Sequence, residues 1–350
     1  MNGLILISRN FWRQTMSKTM KKIGKGLLWG IGSLISAIAA TAGGWIVYSK
    51  KYINHKLKYG DALDADREDF QSKRTGRLSY YMDERGKGRP LVLLHSVNAA
   101  PSTYEMKPIF EHFQGKRPVF ALDLPGFGFS ERSDRLYSPQ LYQTAIHEFL
   151  QEVVGKPADV IALSLSCEFA ALCAAHAPDL IHSLVMISPT GFNQPRTDKI
   201  TERANRRGAR SKLYALLAVP LWNRPLYDLI SSRPSIQFFL NKSFEGLVPE
   251  RMVDYAYHTA HQPGAQYAPT YFLSGKLFTP AVQETVYNTL DLPVLVLYDR
   301  DPYTHFEMLP MMLQNHENWQ GVRISPTKGL PHWEQPEKTF KAMEAFWSEM

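Results

Sequence analysis

The sequence predicts an α/β fold: a mostly parallel central sheet flanked by helices, with an inserted helical cap and one N-terminal transmembrane helix. Three observations carry this. Short apolar runs of the strand type recur from Leu78 to Ile324 with amphipathic helical segments between them, which gives parallel strands covered on both faces. That alternation lapses between about Phe192 and Leu290, where the pattern is helical throughout. Near the start, residues 27–48 form a run of 22 residues without a charge.

Residues 1–53 read as a basic N-terminus and anchor. Arg9, Arg13, Lys18, Lys21, Lys22 and Lys25 precede the apolar run, which has Trp29 near one end and Trp45 and Tyr48 near the other. As a helix the run is roughly 33 Å long, enough to span the hydrocarbon core with aromatic residues at both interfaces. A cleaved signal peptide is the rival, with Ala40-Thr41-Ala42 before Gly43 as its cleavage site. Apolar character continuing through Val47 favours the uncleaved anchor. Six Lys/Arg on the N-side against four on the C-side favour a body beyond the membrane, outside the cytoplasm, although a start at Met16 would make the count even. Residues 54–75, of alternating charge and no apolar period, read as a polar connector.

The charge distribution narrows the function classes. Residues 1–75 carry 13 Lys/Arg and 5 Asp/Glu, leaving 27 and 28 for residues 76–350, so the net charge of +7 resides in the N-terminal segment. A neutral body argues against nucleic acid as a partner. Cys167 and Cys173, six apart on one predicted helix, cannot bridge.

The strand candidates are Leu78 to Met82, Leu91 to His95, Val119 to Leu122, Val160 to Leu163, Leu184 to Ile187, Val294 to Leu297 and Val322 to Ile324. They divide the core into residues 76–191 and 291–350, with a helical cap over 192–290. A cap in that place would cover the strand ends, where open α/β sheets bind ligands. Its aromatic residues, among them Tyr255, Tyr257, Tyr267, Tyr271 and Phe272, read as helix packing, and its basic cluster at Arg203 to Lys212 as a solvated face that can also meet anionic lipid.

The stretch Val160 to Ala170 organises the rest. A buried β-run meets a helix-compatible run with Ser164 at the join and the small residues Ala162 and Ser166 two places either side. That is the form of a nucleophile elbow, in which a tight turn exposes a serine where a base can reach it. The pattern A-x-S-x-S stands where G-x-S-x-G is usual, and each departure adds a Cβ. Placing the nucleophile at Ser166 instead would put Glu168 in a small-residue slot, which makes Ser164 the better choice.

Three segments fit around it. The run into His95-Ser96-Val97-Asn98 would supply one oxyanion N–H, from Val97, and Leu165 after the nucleophile the other. Asp123-Leu-Pro-Gly-Phe-Gly-Phe-Ser130 is a strand ending in a glycine-rich turn with no phosphate-loop pattern. Late in the chain, Asp299 or Asp301 follows one strand and His332 follows the last, in the order Ser, Asp, His.

These motifs resemble the α/β-hydrolase superfamily over roughly residues 78–350, in its serine-nucleophile form with a helical cap. The resemblance implies Ser164 as nucleophile, His332 as base and Asp301 as the orienting acid, no cofactor and no metal. Three departures stand out: Ser96 in place of a glycine, the Ala162/Ser166 pair, and a turn before Asp301 that is one residue short and lacks its glycine. The first two would narrow the oxyanion hole and the third makes Asp301 the least secure member.

The expected function is therefore cleavage of carboxylic esters, hydrophobic or lipid-like, by an acyl-enzyme mechanism at a membrane. The same residues serve C–C bond hydrolysis and acyl transfer. A serine at 164 argues against dehalogenases and epoxide hydrolases with an aspartate nucleophile. A non-catalytic binding module on the same fold is the reading of a different class. His258 and His261 have the spacing of half a metal site, but nothing nearby completes it, and cap packing accounts for them. The oligomeric state is not legible.

Overall fold

The computed structural model describes residues 40–193 and 199–350, with side chains in the helix Lys199–Leu217 from Gly208 onward. The chain divides into two units, Met1–Ile53 and Asn54–Met350. In the first, helix 40–52 carries Trp45, Tyr48 and Tyr52 as a stack, with centroids 5.7 Å apart in each successive pair. Among the described residues no helix is long and apolar enough to cross a membrane. Of the predicted span 27–48, residues 27–39 lie outside the described residues.

The second unit is built on an eight-stranded sheet of order β1-β2-β4-β3-β5-β6-β7-β8. The strands are β1 Asp66–Ser72, β2 Gly76–Asp83, β3 Leu91–Leu94, β4 Val119–Leu122, β5 Ala158–Leu163, β6 Ile181–Ile187, β7 Val294–Tyr298 and β8 Trp319–Arg323. β1 and β2 are antiparallel to their neighbours, and the six strands from β4 to β8 across the sheet run parallel.

Alternation along each strand splits the core into two layers. Val160 and Ala162 of β5, with Val92, Leu94, Leu184 and Met186 beside them, face the helices Pro139–Phe149 and Ser166–His176. Ile161, Leu163, Val185 and Ile187 point the other way, into the layer of Lys107–Phe113 and Pro336–Ser348. All six residues of β5 are buried, so the central strand is sealed from both sides. Each such apolar side chain contributes about 1.5–3 kcal/mol of transfer free energy. On the first face Tyr142 stacks on Phe169 at 4.6 Å and 9°, locking the elbow helix against its neighbour.

Two expectations need correction. The connector 54–75 is not free of structure: it contains β1, which pairs with β2 from Asp66↔Met82 to Ser72↔Gly76. The last strand is β8 Trp319–Arg323 rather than a run beginning at Val322, because its start is set by pairing with β7 at Val294↔Trp319. Between β6 and β7 the described residues form helices, from Lys199–Leu217 through Tyr267–Leu273 to the short turn at Val282–Thr285. Cap aromatics pack as a core does: Tyr214 donates to or accepts from Tyr271 through their hydroxyls at 2.8 Å, with rings 4.3 Å apart.

Candidate active site

Ser164 and Leu165 join β5 to the helix Ser166–His176, and the φ of Ser164 is 56°. That left-handed backbone is rarely adopted by a residue with a Cβ. It is held from both sides: the Ser164 N–H donates to the Ile187 carbonyl at 2.8 Å, extending the β5–β6 ladder, and its carbonyl accepts from Cys167 N–H at 3.1 Å. The chain therefore reverses sharply at one half-buried serine. Ser188, which follows β6, is similarly twisted at φ 46° and has a buried hydroxyl without a partner, a feature with no signature in the sequence.

The two serines that replace the usual glycines each have work for their hydroxyl. Ser166 Oγ donates to the His95 carbonyl at 2.5 Å, tying the elbow helix to the end of β3. Ser96 Oγ lies 3.0 Å from a Glu105 carboxyl oxygen and accepts from Asn98 Nδ2 at 2.7 Å. His95 itself is structural. Its Nδ1 donates to the Ser96 carbonyl at 2.6 Å and its Nε2 accepts from Leu124 N–H at 3.0 Å, so β3 and β4 are stapled at their ends and burial holds its pKa below the ordinary range. Asp123 closes the glycine-rich turn by accepting from Thr103 and from Phe129 N–H, and Gly128 is required there because any Cβ would overlap that carboxylate.

Between these ties lie Val97 and Leu165, both buried. Among the described residues neither main-chain N–H has a hydrogen-bond partner. Two unpartnered donors at the ends of the paired strands β3 and β5 are what an oxyanion needs.

The remaining candidates are placed nearby in the fold but are not linked. His332 follows β8 and is fully buried. Its Nε2 lies 2.8 Å from the Glu105 carbonyl, which also accepts from Trp333 Nε1 at 2.7 Å. A carbonyl only accepts, so Nε2 bears the proton and Nδ1 carries the lone pair, buried and without a partner. Burial pushes the His332 pKa down to about 4, partly offset by that bond, so the ring is neutral at physiological pH. Asp301 accepts from the N–H groups of Tyr303 at 2.7 Å and Thr304 at 3.1 Å in its own turn, and burial raises its pKa. No hydrogen bond joins Ser164 to His332 or His332 to Asp301 among the described residues, so the expected Ser164–His332–Asp301 chain is not closed in this conformation. Asp301 does approach the loop that carries His332: a Cβ on Gly329 would sit 2.8 Å from its Oδ2, which only glycine allows.

Asp299 is occupied differently. It accepts from Arg323 Nε at 2.7 Å and from Thr327 N–H at 2.9 Å, which hold its pKa below the ordinary range against the effect of burial. Of the two late aspartates, Asp301 is the one not committed to a cation.

Glu105 and Glu168 were not legible as site residues. Each is a buried carboxyl whose pKa burial pushes up to about 7. Glu168 accepts from Thr190 Oγ1 at 2.5 Å and from Thr279 N–H at 2.7 Å, joining the elbow helix to the cap's return. A cavity of about 670 Å³ lies off the Thr103–Met106 turn, lined by Tyr59, Tyr104, Lys107, Arg251 and Tyr255 among others, and Ser164 is not in its wall. In the cap, His261 Nδ1 donates to the Tyr257 carbonyl at 2.7 Å, a helix-end contact.

The sequence matches the profile of the alpha/beta hydrolase family over residues 91–342. The chain belongs to that family. Among curated α/β hydrolases, an esterase of Mycobacterium tuberculosis is 33% identical over 118 residues, 33% of this chain and 39% of that protein. The 2-(acetamidomethylene)succinate hydrolase of Mesorhizobium japonicum is 24% identical over 147 residues, 41% of this chain and 52% of that protein. The chain thus matches about half or less of the length of these relatives. Among solved structures, a bacterial membrane phospholipase A aligns with a TM-score of 0.63 at 19% identity, covering 93% of this chain and 98% of that one. A serine hydrolase of carbazole degradation aligns at 0.64 and 16%, covering 81% and 100%. At these identities the α/β-hydrolase fold is what is shared.

Proposed function

We propose that this α/β hydrolase is a serine hydrolase cleaving carboxylic esters. The observation that carries the reading is the left-handed Ser164 between β5 and its helix, flanked by the free N–H groups of Val97 and Leu165. The esterase relative, at 33% identity over 118 residues, supports the ester class. In this reading the His332 ring turns off the Glu105 carbonyl and takes the Ser164 proton as Oγ attacks the ester carbonyl. The Val97 and Leu165 N–H groups hold the oxyanion, and Asp301, close to the His332 loop, stabilises the imidazolium. The imidazolium returns its proton to the departing alcohol. Water, deprotonated by His332, then releases the acid and restores Ser164.

The proposal extends to place and substrate: a single-pass N-terminal anchor, the catalytic unit outside the cytoplasm, and hydrophobic or lipid-like esters. The chargeless run 27–48 supports the anchor. Exposed apolar cap side chains, including Leu216, Phe238 and Phe239, support the substrate class.

A second reading, a non-catalytic binding module, is favoured by one observation: His332 is engaged by Glu105 rather than by Ser164 or Asp301. Labelling with a serine-directed fluorophosphonate separates the two. The hydrolase should label, Ser164→Ala should not, and an unlabelled wild type would establish the binding module. A panel of p-nitrophenyl esters of rising chain length, alongside C–C hydrolase and acyl-transfer substrates, then assigns the reaction.

A further inference from the structure

Glu105 meets the proposed oxyanion loop with its side chain and the proposed base with its main chain. Its carboxyl accepts from Ser96 N–H at 2.9 Å, contacts Ser96 Oγ at 3.0 Å and accepts from Asn98 Nδ2 at 3.3 Å. Ser96 and Asn98 are the two neighbours of Val97. Asn98 Nδ2 also donates to Ser96 Oγ, and Asn98 Oδ1 accepts from Ala100 N–H at 2.8 Å, so the turn is closed on itself with Glu105 as its backing. The other end of the same residue, its main-chain carbonyl, receives His332 Nε2–H and Trp333 Nε1–H.

We propose that Glu105 is a positioning residue of this site, whose carboxyl fixes the Ser96–Asn98 turn that presents the Val97 N–H and whose carbonyl sets the resting place and tautomer of His332. The inference rests on the hydrolase reading and adds to it how that site is held and controlled. It also accounts for Ser96, whose hydroxyl is one jaw of the clamp.

The charge on this carboxyl then matters. The titratable and charged groups around the knot are His95 at the end of β3, Asp123 at the end of β4 through Thr103, His332 after β8, Tyr104 and Lys107 on its own segment, and Tyr255 and Arg251 from the cap helix Glu250–Ala260 packed on Tyr104. None of these forms an ion pair with Glu105. Burial raises its pKa to about 7, against the Ser96 and Asn98 bonds that lower it. Near neutrality the carboxyl therefore changes charge with no cation to absorb the change. The neutral acid keeps its contacts with Ser96, because Ser96 Oγ can accept from its O–H as well as donate to it. The carboxylate places a negative charge against the turn that carries the Val97 N–H, opposing the negative charge that develops on an oxygen held there. Ionisation of Glu105 turns the site down.

The test is the rate of fluorophosphonate labelling of the full-length protein between pH 6 and pH 8. In its resting place against the Glu105 carbonyl His332 is neutral across this range, so the slope is assigned by comparison with Glu105→Gln. Wild type should slow by about tenfold from pH 6 to pH 8, as the protonated fraction of a group titrating near 7 falls. Glu105→Gln keeps the shape and one donor but cannot ionise, and its rate should be flat. Ser96→Ala removes one jaw and, with it, a bond that lowers the Glu105 pKa, so it should label several-fold more slowly at pH 6 and have its decline displaced to higher pH. Thermal unfolding of each variant confirms that it is folded. A Glu105→Gln variant with the wild-type slope overturns the role of Glu105 and leaves the hydrolase reading standing, as does a Ser96→Ala variant as fast as wild type at pH 6. Absence of labelling in wild type at every pH overturns both.

Discussion

Holding Ser164 at φ 56° costs an L-residue about 1–2 kcal/mol, and the β5–β6 ladder and the helix start hold it there. Ser164→Gly should therefore abolish labelling and at the same time stabilise the fold by up to about 1 kcal/mol relative to Ser164→Ala, which stays strained. Calorimetric unfolding of the two variants decides it, and a glycine variant less stable than the alanine one would remove strain from the account of the turn. The late aspartates divide similarly. Asp301→Asn should cut labelling by about two orders of magnitude or more if it orients the base. Asp299→Asn, which disturbs a buried carboxylate bonded to both Arg323 and the Thr327 N–H, should cost about 1–3 kcal/mol of stability and leave labelling within about twofold. Ser164 was legible because a strand signal, a lone serine and a helix signal are all local. The hydroxyl bond of Ser166 was not, since its acceptor, the His95 carbonyl, comes from 71 residues away and is brought there only by β3 pairing with β5. Glu105 was invisible for the same reason: nothing in its neighbours announces that the loop after β3 folds over it.

At the scale of elements, the strands that could be read were those buried on both faces, such as β3, β4 and β5, whose apolar runs are continuous. β1 was lost because it is an edge strand of sequence Asp-Arg-Glu-Asp-Phe-Gln-Ser, with its first four residues exposed and no apolar face to betray it. Its place is set by backbone pairing with β2 and by side-chain ties that include Arg77 Nη1 to Asp69 at 3.0 Å and Tyr80 Oη to Glu68 at 2.9 Å. Just before it, Ala62 and Leu63 are buried in the second layer of the core. Removal of residues 1–53 should therefore leave a folded unit, whereas removal of 1–75 exposes β2 as a raw edge and empties those two positions. Expression, solubility and far-UV dichroism of the two truncations separate these outcomes, and equal behaviour would mean that β1 contributes nothing. The shorter truncation also tests the anchor. In liposomes the full chain should outpace it on a long-chain ester and match it on an acetyl ester, and parity on both would remove the case for a lipid-like substrate delivered along a surface.

For the molecule as a whole, the buried ionisable groups set a stability curve whose two limbs have different owners. His95, His258, His261 and His332 all have folded pKa values below their ordinary 6.5, His332 at about 4, chiefly because burial opposes charging them. Unfolding lets them bind protons, so their contribution is complete above about pH 6.5 and is lost as pH falls below it. Asp299 and Glu148, lowered by their hydrogen bonds to Arg323 and Arg74 among others, act in the same sense at lower pH. Glu105 and Glu168 run the other way. Their folded pKa values of about 7 exceed the ordinary 4.5, so the folded state binds more protons between these values and stability declines as pH rises through that window. Below 6.5 these four histidines outnumber the two glutamates and stability climbs with pH, while above it the glutamates continue to titrate up to about 7 and stability falls. The melting temperature should accordingly peak near pH 6.5 and decline as pH rises through about 7, where the glutamate window closes. Glu105→Gln/Glu168→Gln should remove the decline and leave the acid limb in place, because the histidines are untouched. Unfolding followed from pH 5 to pH 8.5 checks this, and a double variant that loses stability as steeply as wild type while pH rises through 7 would place the alkaline limb elsewhere in the molecule.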